Sequence, residues 1–405
     1  MLYDLAVIGG GAAGMAAAVT ASRAGDSVVI LEAGDAPGKK ISASGNGRCN
    51  LMNSGKPRYY GESGFAKEVI SRCGQDEQVR FWRSVGLMTA EESENRVYPC
   101  TFQSSTVMDV LKTALQINDV KLVLKSPVTA CVKGTDNLFR LTAGNETYHS
   151  RRVLVSTGGP AGRKVDGVLS GYSILEDFGH RIHPLRPALV PLVTDRRSIS
   201  GLSGVRVRCG IKLADSAGTT VHQEKGEILF TEYGVSGICA MQCGRFVEHG
   251  GYILELDFAD RLFENDNSLM KELLFRKTYF SNMAPEMLLA GMLNLKLSYA
   301  VMKQSGIALK GEKLKDLDER ILEDVVKALR HYRITVLGTR GMSEAQVTSG
   351  GAECDEFSPE NMESRIIPGL HAAGEILNTD GDCGGFNLMF AFGSGILAGL
   401  NKRNA

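Results

Sequence analysis

The sequence predicts an α/β protein in which a parallel-sheet domain is interrupted by an inserted, barrel-like set of antiparallel strands and by a helical subdomain. Three observations carry the prediction. An apolar run at residues 2–8 leads into a glycine-rich turn and a helix of small residues; short β-branched runs broken by Gly, Pro and Asp occupy residues 188–261; and residues 262–331 place apolar side chains at helical spacing.

Composition sets the outer limits. A chain of 405 residues exceeds one compact domain and can bury a large ligand. Hydrophobic residues at 43% and charged residues at 23% belong to an ordinary globular protein, and 46 basic against 46 acidic side chains give no general attraction for nucleic acid. The opening "MLYDLAVIGG" carries no charged leader and no apolar run reaches 18 residues, so no membrane association is expected and a cytoplasmic location is the default. The nine cysteines are scattered. Cys239 and Cys243 share a helical spacing but have no second ligand pair, so no metal site is expected.

"LYDLAVI" reads as a strand buried on both faces. Gly9-Gly10-Gly11-Ala12-Ala13-Gly14 then fits G-x-G-x-x-G, with Gly9 for the tight turn, Gly11 for close approach of backbone to a pyrophosphate, and Gly14 for packing of helix on strand. Ala12 and Ala13 open the helix, whose N-terminal N–H groups and partial positive charge suit a pyrophosphate. "SVVILE" is the second strand, and its last residue, Glu32, stands where an acid holds the ribose of an adenosine. Together these make a Rossmann-like unit that serves NAD or FAD equally.

The following stretch, "AGDAPGKKISASGNGRCNLMN", replaces the strand and helix alternation of a simple NAD dehydrogenase with Gly, Ser and Asn. Such a segment can wrap along a dinucleotide, and Lys40, Ser44, Gly45, Gly47 and Arg48 are candidate contacts. Cys49 lies beside Arg48 but has no partner at Cys-x-x-Cys spacing, and reads as a packing residue.

Far down the chain, "GLHAAGEILNTDGDCGGFNLMFAFGSGILAG" reads as a short strand ending at Glu375, an acidic turn with Asp380, and a small-residue helix. The helix follows Gly384 and Gly385 and starts near Phe386 or Asn387. Its free N–H groups can face the pyrimidine edge of a flavin, where negative charge gathers on reduction, and so raise the reduction potential. One long cofactor gripped at both ends is FAD.

"ISASGNGRCNLMN", "RPALVPL", "EAQVTSGGAECDEF", "MESRIIPGLHAAGEIL" and "DGDCGGFNLMFAFGSG" resemble the BaiN-like, or aminoacetone oxidase, family of flavoproteins, described as NAD(P)/FAD-dependent oxidoreductases, over nearly the whole chain. The resemblance implies an FAD-binding domain of the two-dinucleotide-fold type. It implies that Thr157, Gly158 and Gly159, after the strand in "RRVLVSTGG", pass near the adenosine side, and that Glu375, after Gly374, hydrogen-bonds the ribityl chain. Phe386, Asn387 and Leu388 fall in the family's Cys-Gly-Gly-aromatic-Asn-Leu motif, whereas Met389-Phe390 stands where Gln-Trp is frequent.

The patterning places the FAD-binding domain at residues 1–187 and 339–405, the inserted β domain at 188–261 and 332–338, and the helical subdomain at 262–331. No second G-x-G-x-x-G unit appears, so NAD(P)H, if it is the electron donor, visits the substrate's site and leaves, which gives ping-pong kinetics. The expected function is an FAD-dependent oxidoreductase that passes a hydride through the flavin to or from a small organic substrate. One specific form is NAD(P)H-driven reduction of an activated C=C bond, as attributed to the bile-acid-modifying branch of the family. A substrate-fed amine oxidase using oxygen is the alternative within the class. Outside it stands a flavin-bound redox sensor or RNA-associated factor, for which Lys164, Arg206, Arg208 and Lys225 would supply a local basic surface.

Arg48, Asn50 and Asn387 are the candidate catalytic groups beside the ring, with Arg48 reading equally well as a pyrophosphate ligand. His180 and His183, and Tyr98, Tyr172 and Tyr233, are of the right chemistry to donate a proton, and nothing in the sequence chooses among them. His371 reads as packing.

Overall fold

The computed structural model describes residues 1–162, 168–307 and 313–400. The chain divides into two compact units, Met1–Arg186 with Val347–Ala405, and Pro187–Gln346.

The first unit is built on a seven-stranded sheet. Its order is Lys121–Val123, Val28–Leu31, Leu2–Ile8, Glu146–Val155, Phe139–Ala143 and Val128–Lys133, with Leu370–Ala372 also paired to Glu146–Val155. The pairs around Leu2–Ile8 are parallel, with Val7 opposite both Ile30 and Leu154. Leu5, Val7, Ile30 and Leu154 are fully buried, which is why the first strand reads as an unbroken apolar run rather than an alternating one. Phe139–Ala143 and Val128–Lys133 complete the sheet as an antiparallel meander.

Two helices of small residues lie against each other in this unit, Ala12–Arg23 and Phe386–Gly399. A Cβ on Gly395 would come 2.3 Å from the Ala13 carbonyl oxygen, and one on Gly399 would come 2.5 Å from that of Ala17. Contacts that advance by one turn on both helices together mean that the two run in the same direction. The C-terminal helix begins well before its contact with Ala13, whereas the N-terminal helix begins one residue before it. At 1.5 Å per residue the start of the C-terminal helix therefore projects about 12 Å beyond the start of the other.

The second unit holds a closed six-stranded barrel in the order Leu192–Thr194, Gly234–Ser236, Thr220–Phe230, Arg206–Ala214, Tyr252–Asp257 and Tyr332–Thr339. Closure removes the open edges that short antiparallel strands would otherwise expose. The helices Asp266–Tyr279, Leu295–Gln304 and Glu319–Arg330 share its core: Leu254, Leu256 and Ile334 of the barrel and Leu273, Val301, Leu322 and Val325 of the helices belong to one buried cluster.

Two elements depart from the sequence reading. The strand in "GLHAAGE" is only Leu370–Ala372, and Glu375 lies past it in a turn, because Gly374 takes a φ of +80° that a strand does not hold. The helical run in "APEMLLAGMLNLKLSYAVMKQSG" is broken into a 3-10 turn, Pro285–Leu289, and the helix Leu295–Gln304; Gly291 between them is at φ +79°. Among the described residues no helix is long and apolar enough to cross a membrane.

Candidate active site

The glycine-rich turn after the first strand is shaped by two different demands. Gly9 sits at φ +100°, and a Cβ on Gly14 would lie 2.1 Å from the Gly9 carbonyl oxygen and 2.8 Å from Ser156 Oγ, so the protein's own packing requires glycine at both. Gly11 is different. Its φ of −83° is open to any residue, and a Cβ there would meet only the Ser156 carbonyl oxygen, at 4.0 Å. Among the described residues nothing comes closer to such a Cβ, and space kept clear in this way is the cradle that a pyrophosphate needs. The helix above it, starting at Ala12 and Ala13, has no side-chain cap and no acidic residue in its first turn, so neither its cap nor its own first turn offsets its positive end.

Three segments ring this turn. Glu32 accepts the Gly10 N–H and the Gly34 N–H, one on each carboxylate oxygen, both at 2.7 Å, and each oxygen keeps a lone pair for a ribose hydroxyl. The Thr157-Gly158-Gly159 turn follows the strand Glu146–Val155, and Thr157 Cα would be 3.0 Å from a Cβ on Gly9. Lys40 and Glu375 meet at 2.6 Å, and Lys40 Nζ also donates to the Gly159 carbonyl at 2.8 Å. Burial opposes the charge on Glu375, but Lys40 and the N–H groups of Thr348 and Gly159 outweigh it and hold the carboxyl below its usual range. Gly374, beside Glu375, donates its N–H to Ser394 Oγ at 3.0 Å and packs on Ala13.

A second group of residues gathers at the start of the C-terminal helix, which also lacks a side-chain cap and an acid in its first turn. Gly384 and Gly385 are at φ +128° and +106°, and a Cβ on Gly385 would strike the Met52 backbone at 2.5 Å and Asn50 Oδ1 at 2.8 Å. Asn50 is buried, and its Oδ1 has no hydrogen-bond partner among the described residues. A buried amide oxygen left without a donor costs about 1–3 kcal/mol. An isoalloxazine presents such a donor at its ring N3–H, so the residues here fit that group. Asn53 holds the turn by donating from Nδ2 to the Gly384 carbonyl at 2.8 Å, and Tyr59 donates to the Phe386 carbonyl at 3.0 Å. Asp380, in the strand Thr379–Gly381 opposite Tyr60, is buried beside the same turn. Leu388 lies partly buried against the core.

Arg48 and Asn387 are placed differently from the expectation. The Arg48 guanidinium lies 4.4 Å from the centre of the Tyr98 ring and 4.7 Å from that of Phe102, and pairs with Glu92 at 2.7 Å. Its charge is met by two aromatic faces and a carboxylate. Asn387 accepts the Gly381 N–H at 2.7 Å and donates to the Gly381 carbonyl at 2.9 Å, so its amide is engaged in closing the 381–387 turn. Ser44 donates to the Ile41 carbonyl at 2.7 Å, while Gly45 and Gly47, with Asn46 and Cys49, hold positive φ and bend this loop. Cys49 is fully buried, and desolvation pushes its thiol up to about 11, as a packing role requires.

The proton-donor candidates separate as well. Tyr172 buries a hydroxyl without a partner among the described residues, and burial, with the nearby Glu375 charge, pushes its pKa up. Tyr98 lies under Arg48, and Tyr233 belongs to the second unit, under Arg340. His180 is held between Glu356 at 2.8 Å and Ser364 at 2.9 Å and stacks on Phe357, and His371 is buried against the Gly369 carbonyl. Met389 and Phe390 are buried in the core, Phe390 against Tyr59. Of the four basic residues considered for RNA, Arg206 is paired with Glu227 and Lys225 with Asp260, and Lys164 lies outside the described residues. Among the described residues one group of potential metal ligands comes together, Glu62, His183 and Glu353. Glu62 already accepts from the Cys354 N–H and Asn378, and Glu353 from His183 and Arg181, so these atoms are occupied by the protein itself.

Fold and site together define a class, an FAD-dependent oxidoreductase on a Rossmann-type sheet. The chain belongs to the HI0933-like protein Rossmann domain family, whose model matches residues 3–401. It is 32% identical to a 3-dehydro-bile acid delta(4,6)-reductase of Clostridium scindens, over 98% of each chain. It is 28% identical to a ribosomal RNA dihydrouridine synthase of Escherichia coli, over 97% of this chain and 96% of that one. Among solved structures, a 3-ketosteroid-delta4-(5alpha)-dehydrogenase from Rhodococcus jostii aligns over 98% of this chain and 96% of that chain, at 16% identity and a TM-score of 0.46.

Proposed function

We propose that the protein reduces a C=C bond conjugated to a carbonyl group, with NAD(P)H as the electron donor in a separate half-reaction. The observation that carries this reading is the pair of uncapped helix starts, facing the same way and offset by about 12 Å, with the unpartnered Asn50 oxygen beside the second. The N–H groups at Ala12 and Ala13 would hold the pyrophosphate of FAD, and those at the start of the C-terminal helix, with Asn50, would hold the pyrimidine edge of its ring. FAD supplies hydride transfer when bound. The chain's part is to fix both ends, keep the phosphate turn clear through Gly11, and set positive helix potential where charge develops.

The relatives' names supply the bond. A delta(4,6)-reductase of 3-dehydro-bile acids saturates a C=C in conjugation with a carbonyl, and a dihydrouridine differs from uridine by saturation of the C=C beside a carbonyl. The two share one chemistry on very different substrates. A small enone is the reading the charge pattern favours, because Arg206 and Lys225 are neutralised by acids. A uracil base in RNA is the second reading, supported by the name of the Escherichia coli relative.

Anaerobic stopped-flow mixing of the holoprotein with NADH or NADPH tests this. Flavin bleaching by one of them, followed by recovery of the yellow colour on adding a conjugated enone faster than on admitting air, is the expected result. Bleaching by an amine and not by a nicotinamide, with fast recovery in air, would establish the oxidase instead; recovery only with uridine-containing RNA would establish the second reading.

A further inference from the structure

We propose that Lys40 and Glu375 form a clasp that retains the cofactor, a role that rests on FAD being the ligand of the first unit. The pair, at 2.6 Å, joins the short helix Lys39–Ala43 after the second strand to the turn after the strand Leu370–Ala372, and the Lys40 contact to the Gly159 carbonyl brings in a third segment. Each of the three is anchored separately on the phosphate turn or the helix above it. The Lys40 segment is tied by the Gly38 N–H to the Gly10 carbonyl at 2.9 Å. The 157–159 turn is pressed against Gly9, and Gly374, next to Glu375, packs on Ala13, whose Cβ would be 3.1 Å from a Cβ placed on it. The ion pair therefore closes a ring of chain around the place where a pyrophosphate sits.

The chemistry suits retention. Glu375 Oε1 accepts the Thr348 N–H at 2.9 Å, so the carboxylate is fixed in place for Lys40. Both side chains are partly shielded, at 29% and 19% exposure, so their attraction is screened less than a surface pair's but still responds to salt.

The test follows FAD release from holoprotein, read as recovery of free flavin fluorescence at low and high salt, in wild type, Lys40→Met, Lys40→Arg, Glu375→Gln and the double Lys40→Met/Glu375→Gln. Release is expected to be about tenfold faster in Lys40→Met and Glu375→Gln, close to wild type in Lys40→Arg, and no faster in the double variant than in the singles. Salt should speed release more in wild type than in the variants. Unchanged release in both single variants, or effects that multiply in the double, would overturn the clasp, as would a fall in apo melting temperature large enough to account for the loss. A wild-type protein that neither carries nor takes up FAD would overturn the cofactor reading itself, an outcome distinct from the others.

Discussion

Gly395 lies so close to Ala13 that a methyl group on it would come within 2.3 Å of the Ala13 carbonyl oxygen. This contact sets how far apart the two helix starts lie, and so the span available to a cofactor. Gly395→Val should force the helices apart at a cost of about 3 kcal/mol, lowering the apo melting temperature and FAD affinity together. A variant that melts like wild type would show that the crossing is slack.

Gly11 and Gly14 separate folding from binding within one motif. Gly14→Val should destabilise the apo protein strongly, since its Cβ would enter the Gly9 carbonyl, whereas Gly11→Val should leave apo melting nearly unchanged and abolish FAD uptake. Denaturant titration of the two apo variants, beside flavin absorbance after reconstitution, checks the contrast. FAD uptake by Gly11→Val would mean that the turn does not hold the pyrophosphate.

Asn50 predicts opposite signs with and without ligand. Its buried, unpartnered oxygen is a burden on the apo fold, so Asn50→Leu should keep apo stability or raise it by up to about 1 kcal/mol while weakening FAD binding. Equal losses in both states, measured by thermal melts with and without FAD, would assign Asn50 to packing instead.

Two buried histidines give a pH signature. Desolvation lowers the pKa of His180, against the pull of Glu356, and lowers that of His371, with Arg152 acting in the same direction. Both therefore resist a proton that the unfolded chain accepts below about pH 6.5. Apo stability should be flat above pH 7 and fall as pH drops from there towards 5, and His180→Gln should make the fall shallower. A pH-independent melting temperature over that range would contradict the burial of both rings.

Much of this architecture is legible in the sequence because it is local. The strand, turn and helix from Leu2 to Arg23 follow from one apolar run and a glycine spacing, and the start of the C-terminal helix from Gly384 and Gly385. What could not be read is set by partners distant along the chain. Nothing near Lys40 announces Glu375, and Arg48 looks like a phosphate ligand until the Tyr98 and Phe102 rings and Glu92 gather round its guanidinium. Asn387 carries a motif position, yet its amide is taken up by a turn whose shape depends on φ at Gly384 and Gly385. Asn53 and Tyr59, which hold that same turn, stand in short strands whose pairing has no periodic signal.

The central claim, one FAD gripped at two helix starts, is tested most directly by titrating the apo protein with FAD, ADP and riboflavin, as wild type, Gly11→Val and Asn50→Leu. A two-ended grip predicts that FAD binds far more tightly than either half, that Gly11→Val loses ADP but keeps riboflavin, and that Asn50→Leu does the reverse. Loss of the same half by both variants, or riboflavin binding unaffected by Asn50→Leu, would contradict it.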